Sequence, residues 1–215
     1  MHDPGDDTRI RLIREGLRER ADPAKAPDMQ RYMKSEMPFL GVQKAGRVAL
    51  ARAVFPREPS LDLVLTLWRE AEYREERYMA LALLERHGPA PLSVYEELIV
   101  TGAWWDCVDA VATRPLGALL PEVADTLRAW SVDADMWKRR SAIIAQVKRR
   151  ADTDFALLTD CIEPNRSDRE FFIRKAIGWA LRAYAWVDPA AVVAYCESHE
   201  LSGLSRREAL KNVRP

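Results

Sequence analysis

Apolar residues recur at intervals of three and four along most of the chain, the spacing that places them on one face of an α-helix. The pattern is clearest in residues 61–88 and 169–187. No long segment alternates apolar and polar residues with the period of two that a half-buried strand shows. Glycines and prolines divide the chain into segments of roughly 10 to 18 residues, a common helix length. We therefore predict an all-α protein of about twelve helices.

Local signals predict where two of the helices begin. Ser167, followed three residues later by Glu170, has the spacing of a capping box ahead of the segment FFIRKAIGWALRAY. Asp188, followed by Pro189, has the order of an N-cap residue and a proline in the first helical position. We expect one helix to begin after each of these pairs.

The connections between the predicted helices indicate the architecture. Many helices of similar length with short connectors favour a right-handed α-solenoid of HEAT-like or ARM-like antiparallel helix pairs. The sequence has no clean period, so the repeats would be divergent, and a compact helical bundle is the competing architecture. We expect residues 1–215 to form one repeat domain, in which residues 1–23 are an N-terminal helical cap. A solenoid has a concave face that basic side chains could line.

Composition narrows the class of protein. The chain has 215 residues, of which 48% are hydrophobic, enough for a sizeable core. No apolar run approaches the roughly 20 residues that a membrane-spanning helix needs, and the N-terminal stretch lacks the apolar segment of a signal peptide. Cys107, Cys161 and Cys196 are odd in number and far apart, which favours reduced thiols over a disulfide framework. We expect a cytoplasmic protein that does not enter a membrane.

Charge is unevenly distributed along the chain. The net charge is zero, from 33 basic and 33 acidic residues, but residues 137–215 contain 15 Lys and Arg against 10 Asp and Glu. That segment carries +5 and the remainder of the chain −5. A local basic surface matters more to a polyanion than the overall sum does. The neutral total is therefore compatible with a nucleic-acid partner.

Several common catalytic motifs are absent from the sequence. It contains no glycine-rich phosphate loop, no CxxC pair and no HExxH. His2, His87 and His199 are isolated in sequence and form no metal-ligand or triad pattern. If the protein is an enzyme, we expect it to use carboxylates, aromatic rings and cations, with no metal and no other cofactor.

The segment TGAWWDCVDAVA combines tryptophans and aspartates at helical spacing. Trp105 and Asp109 are four residues apart and would share one face of a helix. Trp104 and Val108 would share another, apolar face. We expect Trp104 to pack in the core and Trp105 to lie at its edge.

Two further segments place cations at helical spacing. Lys175, Trp179 and Arg182 would form a stripe of cation, aromatic ring and cation on one helix face. Arg140 and Lys148, eight residues apart, would lie along one line of another helix. Such faces commonly bind a phosphate backbone. The alternative for each single helix is a solvated face of paired charges.

Five stretches carry a family resemblance, and they extend from about residue 28 to the end of the chain. They are RYMKSEMPFLGV, EELIVTGAWWDCVDAVA, MWKRRSAIIAQVK, FFIRKAIGWALRAYAWVDP and LSRREALKNV. Together they resemble the AlkD-like DNA alkylation repair family of HEAT-like repeat DNA glycosylases. The resemblance implies a concave, positively charged DNA-binding groove. It also implies a monofunctional glycosylase that removes cationic N3- and N7-alkylated purines without flipping the damaged base into a pocket.

The resemblance carries over to individual positions. The family's catalytic positions fall on four residues of this chain: Asp109, Trp105, Trp179 and Arg140. Its DNA-contacting positions fall on three more: Tyr32, Lys148 and Arg182. The charged stripe adds a further DNA-binding candidate, Lys175.

The implied chemistry needs an anion and no general acid. An N3- or N7-alkylated purine is already cationic, so the base leaves as a neutral molecule while positive charge moves onto the deoxyribose. Asp109 would stabilise that charge and orient the attacking water, while Trp105 and Trp179 would contact the sugar and backbone. We expect Arg140 to hold a lesion phosphate and to orient Asp109. Asp106 is the alternative carboxylate.

We therefore expect a monomeric, nucleoid-associated enzyme of base excision repair. Its partner would be double-stranded DNA containing alkylated bases such as 3-methyladenine and 7-methylguanine, and its product an abasic site. Two alternatives remain open. One is a non-catalytic HEAT-repeat protein that binds unusual or branched DNA structures. The other is a scaffold that binds a protein on its concave face, which a weak dependence of binding on salt would reveal.

Overall fold

The computed structural model describes residues 4–213, and within that range it contains thirteen α-helices and no β-strand. The helices of the first half are α1 (Pro4–Glu19), α2 (Ala26–Met33), α3 (Lys44–Val54), α4 (Leu61–Arg69) and α5 (Arg74–His87). Those of the second half are α6 (Leu92–Gly102), α7 (Trp105–Val111), α8 (Ala124–Trp130), α9 (Met136–Ile144), α10 (Phe155–Ile162), α11 (Phe171–Tyr184), α12 (Pro189–Ser198) and α13 (Gly203–Ala209). The all-α prediction is confirmed.

The chain divides into two compact units, Met1–Ala90 with α1 to α5 and Pro91–Pro215 with α6 to α13. Within each unit successive helices pack on one another, as α4 does on α5 and α8 on α9. Helices paired in this way through short connectors are what an α-solenoid consists of. Its handedness, its concave groove and the single repeat domain stay predictions. Residues 1–3 of the predicted cap, and residues 214–215, lie outside the described part of the chain.

The first unit holds one of its loops with a buried carboxylate. Glu75, in the first turn of α5, is fully buried. Its oxygens accept hydrogen bonds from the backbone N–H groups of Leu40, Gly41 and Val42, at 2.9 to 3.0 Å. Gly41 has φ of 84°, and a side chain there would meet the carbonyl oxygen of Asp22 at 2.1 Å. The loop therefore requires glycine at this position.

The second unit is organised around α11, which packs against α9, α10, α12 and α13. Its buried side chains recur at intervals of three and four: Ile173, Ala176, Ile177, Ala180 and Leu181. This spacing gives one continuous apolar face. Ala176, Ile177 and Leu181 thereby lie in the core of the second unit.

Both predicted helices begin where expected, but only one of the two predicted caps forms. Asp188 accepts a hydrogen bond from the N–H of Ala191 at 2.9 Å, with Pro189 in the first helical position of α12. The capping box at Ser167 does not form, because α11 has Glu170 itself as its N-cap residue, without a side-chain cap bond. The carboxylate of Asp168 instead accepts from the N–H of Glu170 at 2.8 Å, which forms an Asx turn ahead of the helix.

Candidate functional site

Helix α7 begins at Trp105, so Trp104 precedes its first turn. The backbone of Trp104 is extended, with φ of −154°, and its side chain therefore does not continue the apolar stripe of Val108 as predicted. The half-buried indole instead contacts the rings of Trp137 and Phe172, at centroid distances of 5.9 and 5.2 Å. The prediction of Trp104 in the core is corrected to a place in this three-ring cluster.

A two-pronged ion pair joins Asp109 of α7 to Arg140 of α9. Arg140 Nε donates to Oδ1 at 2.7 Å and Nη2 donates to Oδ2 at 2.8 Å, the fork geometry by which a guanidinium matches a carboxylate. Arg140 Nη1 donates to the carbonyl oxygen of Phe172, in the first turn of α11, at 2.6 Å. One arginine thereby fixes the carboxylate relative to three helices.

Burial limits what Arg140 can do. Its side chain is only 6% exposed, against 16% for that of Asp109. Three of its five N–H groups are already engaged within the protein. A phosphate contact would require the guanidinium to leave this position. The geometry supports the expected orienting role of Arg140, and it does not support the expected phosphate contact.

Burial also decides the electrostatics of Asp109. Desolvation raises the pKa of Asp109 above its ordinary value, and the hydrogen bonds and charge of Arg140 oppose this rise without cancelling it. The charge of Asp106 adds a smaller increase to the pKa of Asp109. An anion with so little water around it interacts strongly with any positive charge brought beside it.

Trp105 and Asp106 flank the carboxylate on the same short helix. Trp105 is half-buried and lies one turn before Asp109, as the spacing predicted. One oxygen of Asp106 accepts a hydrogen bond from the N–H of Cys107 at 2.9 Å. The carboxylate of Asp109 is held by Arg140 of another helix, whereas this bond of Asp106 is local to its own backbone.

Two predicted DNA-binding cations are joined to one carboxylate. Glu208 of α13 contacts Lys175 Nζ at 3.0 Å and Arg182 Nη1 at 2.5 Å. Its hydrogen bond with Lys175, followed by that with Arg182, lowers the pKa of Glu208. The helices approach closely at Gly178, where a Cβ atom would lie 2.4 Å from the Cβ atom of Glu208. Sequence reasoning missed Glu208, which lies 26 residues beyond Arg182.

The remaining predicted residues lie on different elements. Trp179 is a half-buried residue of α11, and Tyr32, on α2 of the first unit, is 77% exposed. Lys148 is exposed but does not continue the helix of Arg140, because α9 ends at Ile144. The common helix line predicted for Arg140 and Lys148 is therefore wrong.

The turn that replaces the predicted end of α9 is held by a buried glutamine. The side chain of Gln146 donates to the carbonyl oxygen of Asp154 at 2.9 Å and accepts from its N–H at 2.8 Å. These bonds anchor the turn to the start of α10, where Asp154 is the N-cap residue. Lys148 lies within this turn and not on a helix face.

Cys161 and Cys196 offer no reactive thiolate at neutral pH. Cys161 and Cys196 are buried free thiols, and burial raises the pKa of Cys161 to about 12 and that of Cys196 above its ordinary value. Among residues 4–213, no three His, Cys, Asp or Glu side chains are grouped so as to hold a metal ion. No helix in the same range has the length and apolar character needed to cross a membrane.

Comparison with known proteins identifies the family. The model of the DNA alkylation repair enzyme family matches residues 13–213. The structure is similar to that of a predicted DNA alkylation repair enzyme from Enterococcus faecalis, with a TM-score of 0.77 and 30% sequence identity, covering 90% of this chain and 97% of that one. No curated protein matches the sequence significantly. The resemblance found in the sequence is confirmed: the chain belongs to the family of DNA alkylation repair enzymes.

Proposed function

We propose that the protein is a monofunctional DNA glycosylase that hydrolyses the N-glycosidic bond of cationic N3- and N7-alkylated purines in duplex DNA. The observation that carries the proposal is Asp109, a nearly buried carboxylate whose two oxygens are fixed by Arg140. A preoriented anion of this kind suits a reaction in which positive charge develops on the substrate. The damaged base leaves directly from the duplex, without being flipped into a pocket.

The reaction needs no proton donor. The bond between C1′ and the purine nitrogen breaks, and its electron pair neutralises the cationic base, which departs as a free neutral purine. Asp109 stabilises the oxocarbenium-like deoxyribose that remains. Water then adds to C1′ and releases a proton to solvent, which leaves an abasic site. Asp109 orients this water, and Arg140 acts as the positioning residue for Asp109.

Aromatic rings and cations complete the proposed site. Trp105 and Trp179 contact the sugar and backbone, and their attraction for positive charge grows as the oxocarbenium character develops. The duplex backbone is held by four further side chains: Tyr32, Lys148, Lys175 and Arg182. The protein acts as a monomer on DNA containing alkylated bases.

The test is release of 7-methylguanine from methylated duplex DNA, followed by chromatography of the free bases. Asp109→Asn should slow release at least about tenfold, equivalent to about 1.4 kcal/mol of barrier. Asp106→Asn is the matched control and should change release much less. Since Asn leaves the buried Arg140 without a counter-charge, both variants are assayed well below their unfolding temperatures and their DNA affinities are compared.

The outcomes separate the competing functions. Unchanged release by Asp109→Asn, or a larger loss with Asp106→Asn, would remove the role given to Asp109. Wild-type protein that binds branched DNA tightly but releases no alkylated base would favour the non-catalytic alternative. Protein that binds neither kind of DNA in a salt-dependent manner would favour a scaffold.

A further inference from the structure

The C-terminal end of α11 borders a cleft of about 520 Å³ in the second unit. Six of the side chains that line it are Val147, Arg150, Trp179, Arg182, Trp186 and Val187. The cleft thus combines two indole rings, two guanidinium groups and aliphatic surface. None of the five sequence stretches suggested a role for Arg150 or Trp186.

Trp186 is the most unusual part of this cleft. It lies two residues beyond the end of α11 and is 77% exposed to solvent. An indole so exposed leaves a large apolar surface in contact with water, which is unfavourable unless a ligand covers it. Val187, next to it, is 40% exposed and extends the same apolar surface. A flat, exposed aromatic ring is what a nucleobase stacks on.

Arg150 gives the cleft its charge. Within residues 4–213 its guanidinium makes no hydrogen bond or ion pair, whereas Arg182 is bound to Glu208 at 2.5 Å. Its backbone has φ of 54°, a left-handed conformation that costs a non-glycine residue about 1 kcal/mol or more. Among the described residues no carboxylate pairs with Arg150, so its positive charge is available to an anionic ligand.

The cleft adjoins the proposed catalytic site along α11 and shares Trp179 with it. Phe172, whose carbonyl accepts from Arg140, and Trp179 are seven residues apart, so they lie on the same side of α11 about 10 Å apart along its axis. A DNA strand advances about 3.4 Å per nucleotide. A strand that follows α11 from Phe172 would therefore reach the cleft within about three nucleotides.

We propose that this cleft binds one unpaired nucleotide of a DNA strand, with its base stacked on Trp186 and its phosphate on Arg150. A paired base has both faces covered by its neighbours, so only a nucleotide displaced from the duplex stack can reach the ring. The proposal rests on the proposed function only in taking DNA as the partner. The nucleotide bound in the cleft is not the lesion itself.

The test compares two fluorescein-labelled, unmodified duplexes by anisotropy, one fully paired and one with a single bulged thymidine. Wild-type protein should bind the bulged duplex more tightly. Trp186→Ala should weaken binding to the bulged duplex at least about fivefold and leave the paired duplex within about twofold. Val132→Ala, which truncates another exposed apolar residue of the same unit, is the control and should change neither affinity.

A second arm tests the cation. Arg150→Gly keeps the left-handed backbone favourable and should reduce the salt dependence of binding to the bulged duplex by about one in log–log slope. Arg128→Ala removes the same charge from an arginine already paired with Asp125 and Asp160, and should leave the slope unchanged. An unchanged slope with Arg150→Gly overturns the role given to Arg150.

The outcomes are independent of base excision, because the duplexes carry no alkylated base. Equal loss of affinity for both duplexes in Trp186→Ala, or no loss for either, overturns the proposal. Wild-type protein that binds the bulged and the paired duplex with equal affinity also overturns the proposal. If bulge binding depends on Trp186 while 7-methylguanine is not released, the nucleotide-binding role of the cleft is supported and the glycosylase proposal fails. If 7-methylguanine is released while bulge binding does not depend on Trp186, the glycosylase proposal is supported and the nucleotide-binding role of the cleft fails.

Discussion

Arg140 holds both oxygens of Asp109 through parallel hydrogen bonds of 2.7 and 2.8 Å, and its remaining terminal nitrogen is bound to the carbonyl of Phe172. The orientation of the carboxylate is therefore set by α9 and α11 as well as by its own short helix. A fixed anion requires no reorganisation when charge appears on the substrate, which is the condition for efficient electrostatic stabilisation.

We predict that the pKa of Asp109 sets the pH below which the rate of base release declines. Because burial raises the pKa of Asp109, the carboxylate should lose its charge at a higher pH than an ordinary aspartate does. The rate of 7-methylguanine release should fall as the pH drops through that raised value. The contribution of Asp109 to the free energy of unfolding depends on pH in the opposite direction. It is fully present below the pKa of Asp109 in the unfolded chain, and it is lost as the pH rises through the raised pKa of the folded protein.

Arg140 variants give this prediction a second readout. Arg140→Met removes the groups that lower the pKa of Asp109, so the acid limb should move to higher pH and the protein should lose up to about 3–5 kcal/mol of stability. Arg140→Lys keeps the positive charge but cannot make the two parallel hydrogen bonds. Compared with Arg140→Met, it should recover part of the lost stability and part of the shift in the pH dependence. A merely structural arginine would change stability and leave the pH at which release declines where it was.

Removal of the Glu208 carboxylate should tighten DNA binding. Glu208→Gln leaves Lys175 and Arg182 without their anionic partner, so the affinity for duplex DNA should rise at low salt and the salt dependence should steepen. Glu122→Gln, which changes the net charge equally at an exposed position of the same unit, is the control. Equal affinity of the two variants would show that these cations do not face DNA.

Gly178, at the close approach of α11 and α13, should tolerate a side chain poorly. Gly178→Ala would place a Cβ atom 2.4 Å from the Cβ of Glu208 and 2.8 Å from the carbonyl oxygen of Ser205, which forces α13 away from α11. We expect a loss of about 1–3 kcal/mol in the free energy of unfolding. Gly203→Ala meets nothing within 4 Å and should be neutral or stabilising by up to about 1 kcal/mol. Thermal unfolding of the pair measures the contrast, and equal stabilities would contradict it.

The buried carboxylate of Glu75 should be required for stability of the first unit. Glu75→Gln replaces one acceptor oxygen by a donor, so at least one of the N–H groups of Leu40, Gly41 and Val42 loses its partner. An unsatisfied buried donor costs about 1–3 kcal/mol. Glu58→Gln, at an exposed position, is the control. Urea unfolding that gave the two variants the same midpoint would show that the loop does not depend on this carboxylate.

Local spacing was sufficient for part of the candidate site. Trp105 and Asp109 share a helix, and their separation of one turn follows from the helical period alone. The pairing of Asp109 with Arg140, 31 residues away, rested on the family resemblance. Periodicity could not locate Glu208, because its pairing with Lys175 and Arg182 depends on how closely α13 approaches α11 at Gly178.

The sequence by itself determined the helices of this protein, since backbone hydrogen bonds four residues apart and one apolar face per helix are local properties. Through the family resemblance it also suggested which residues would carry the candidate chemistry. Only the tertiary structure decided where α9 ends, which cations are neutralised and whether burial or Arg140 dominates the pKa of Asp109. Each of these depends on side chains distant in sequence, whose electrostatic and packing energies are set by the surroundings that the folded chain creates.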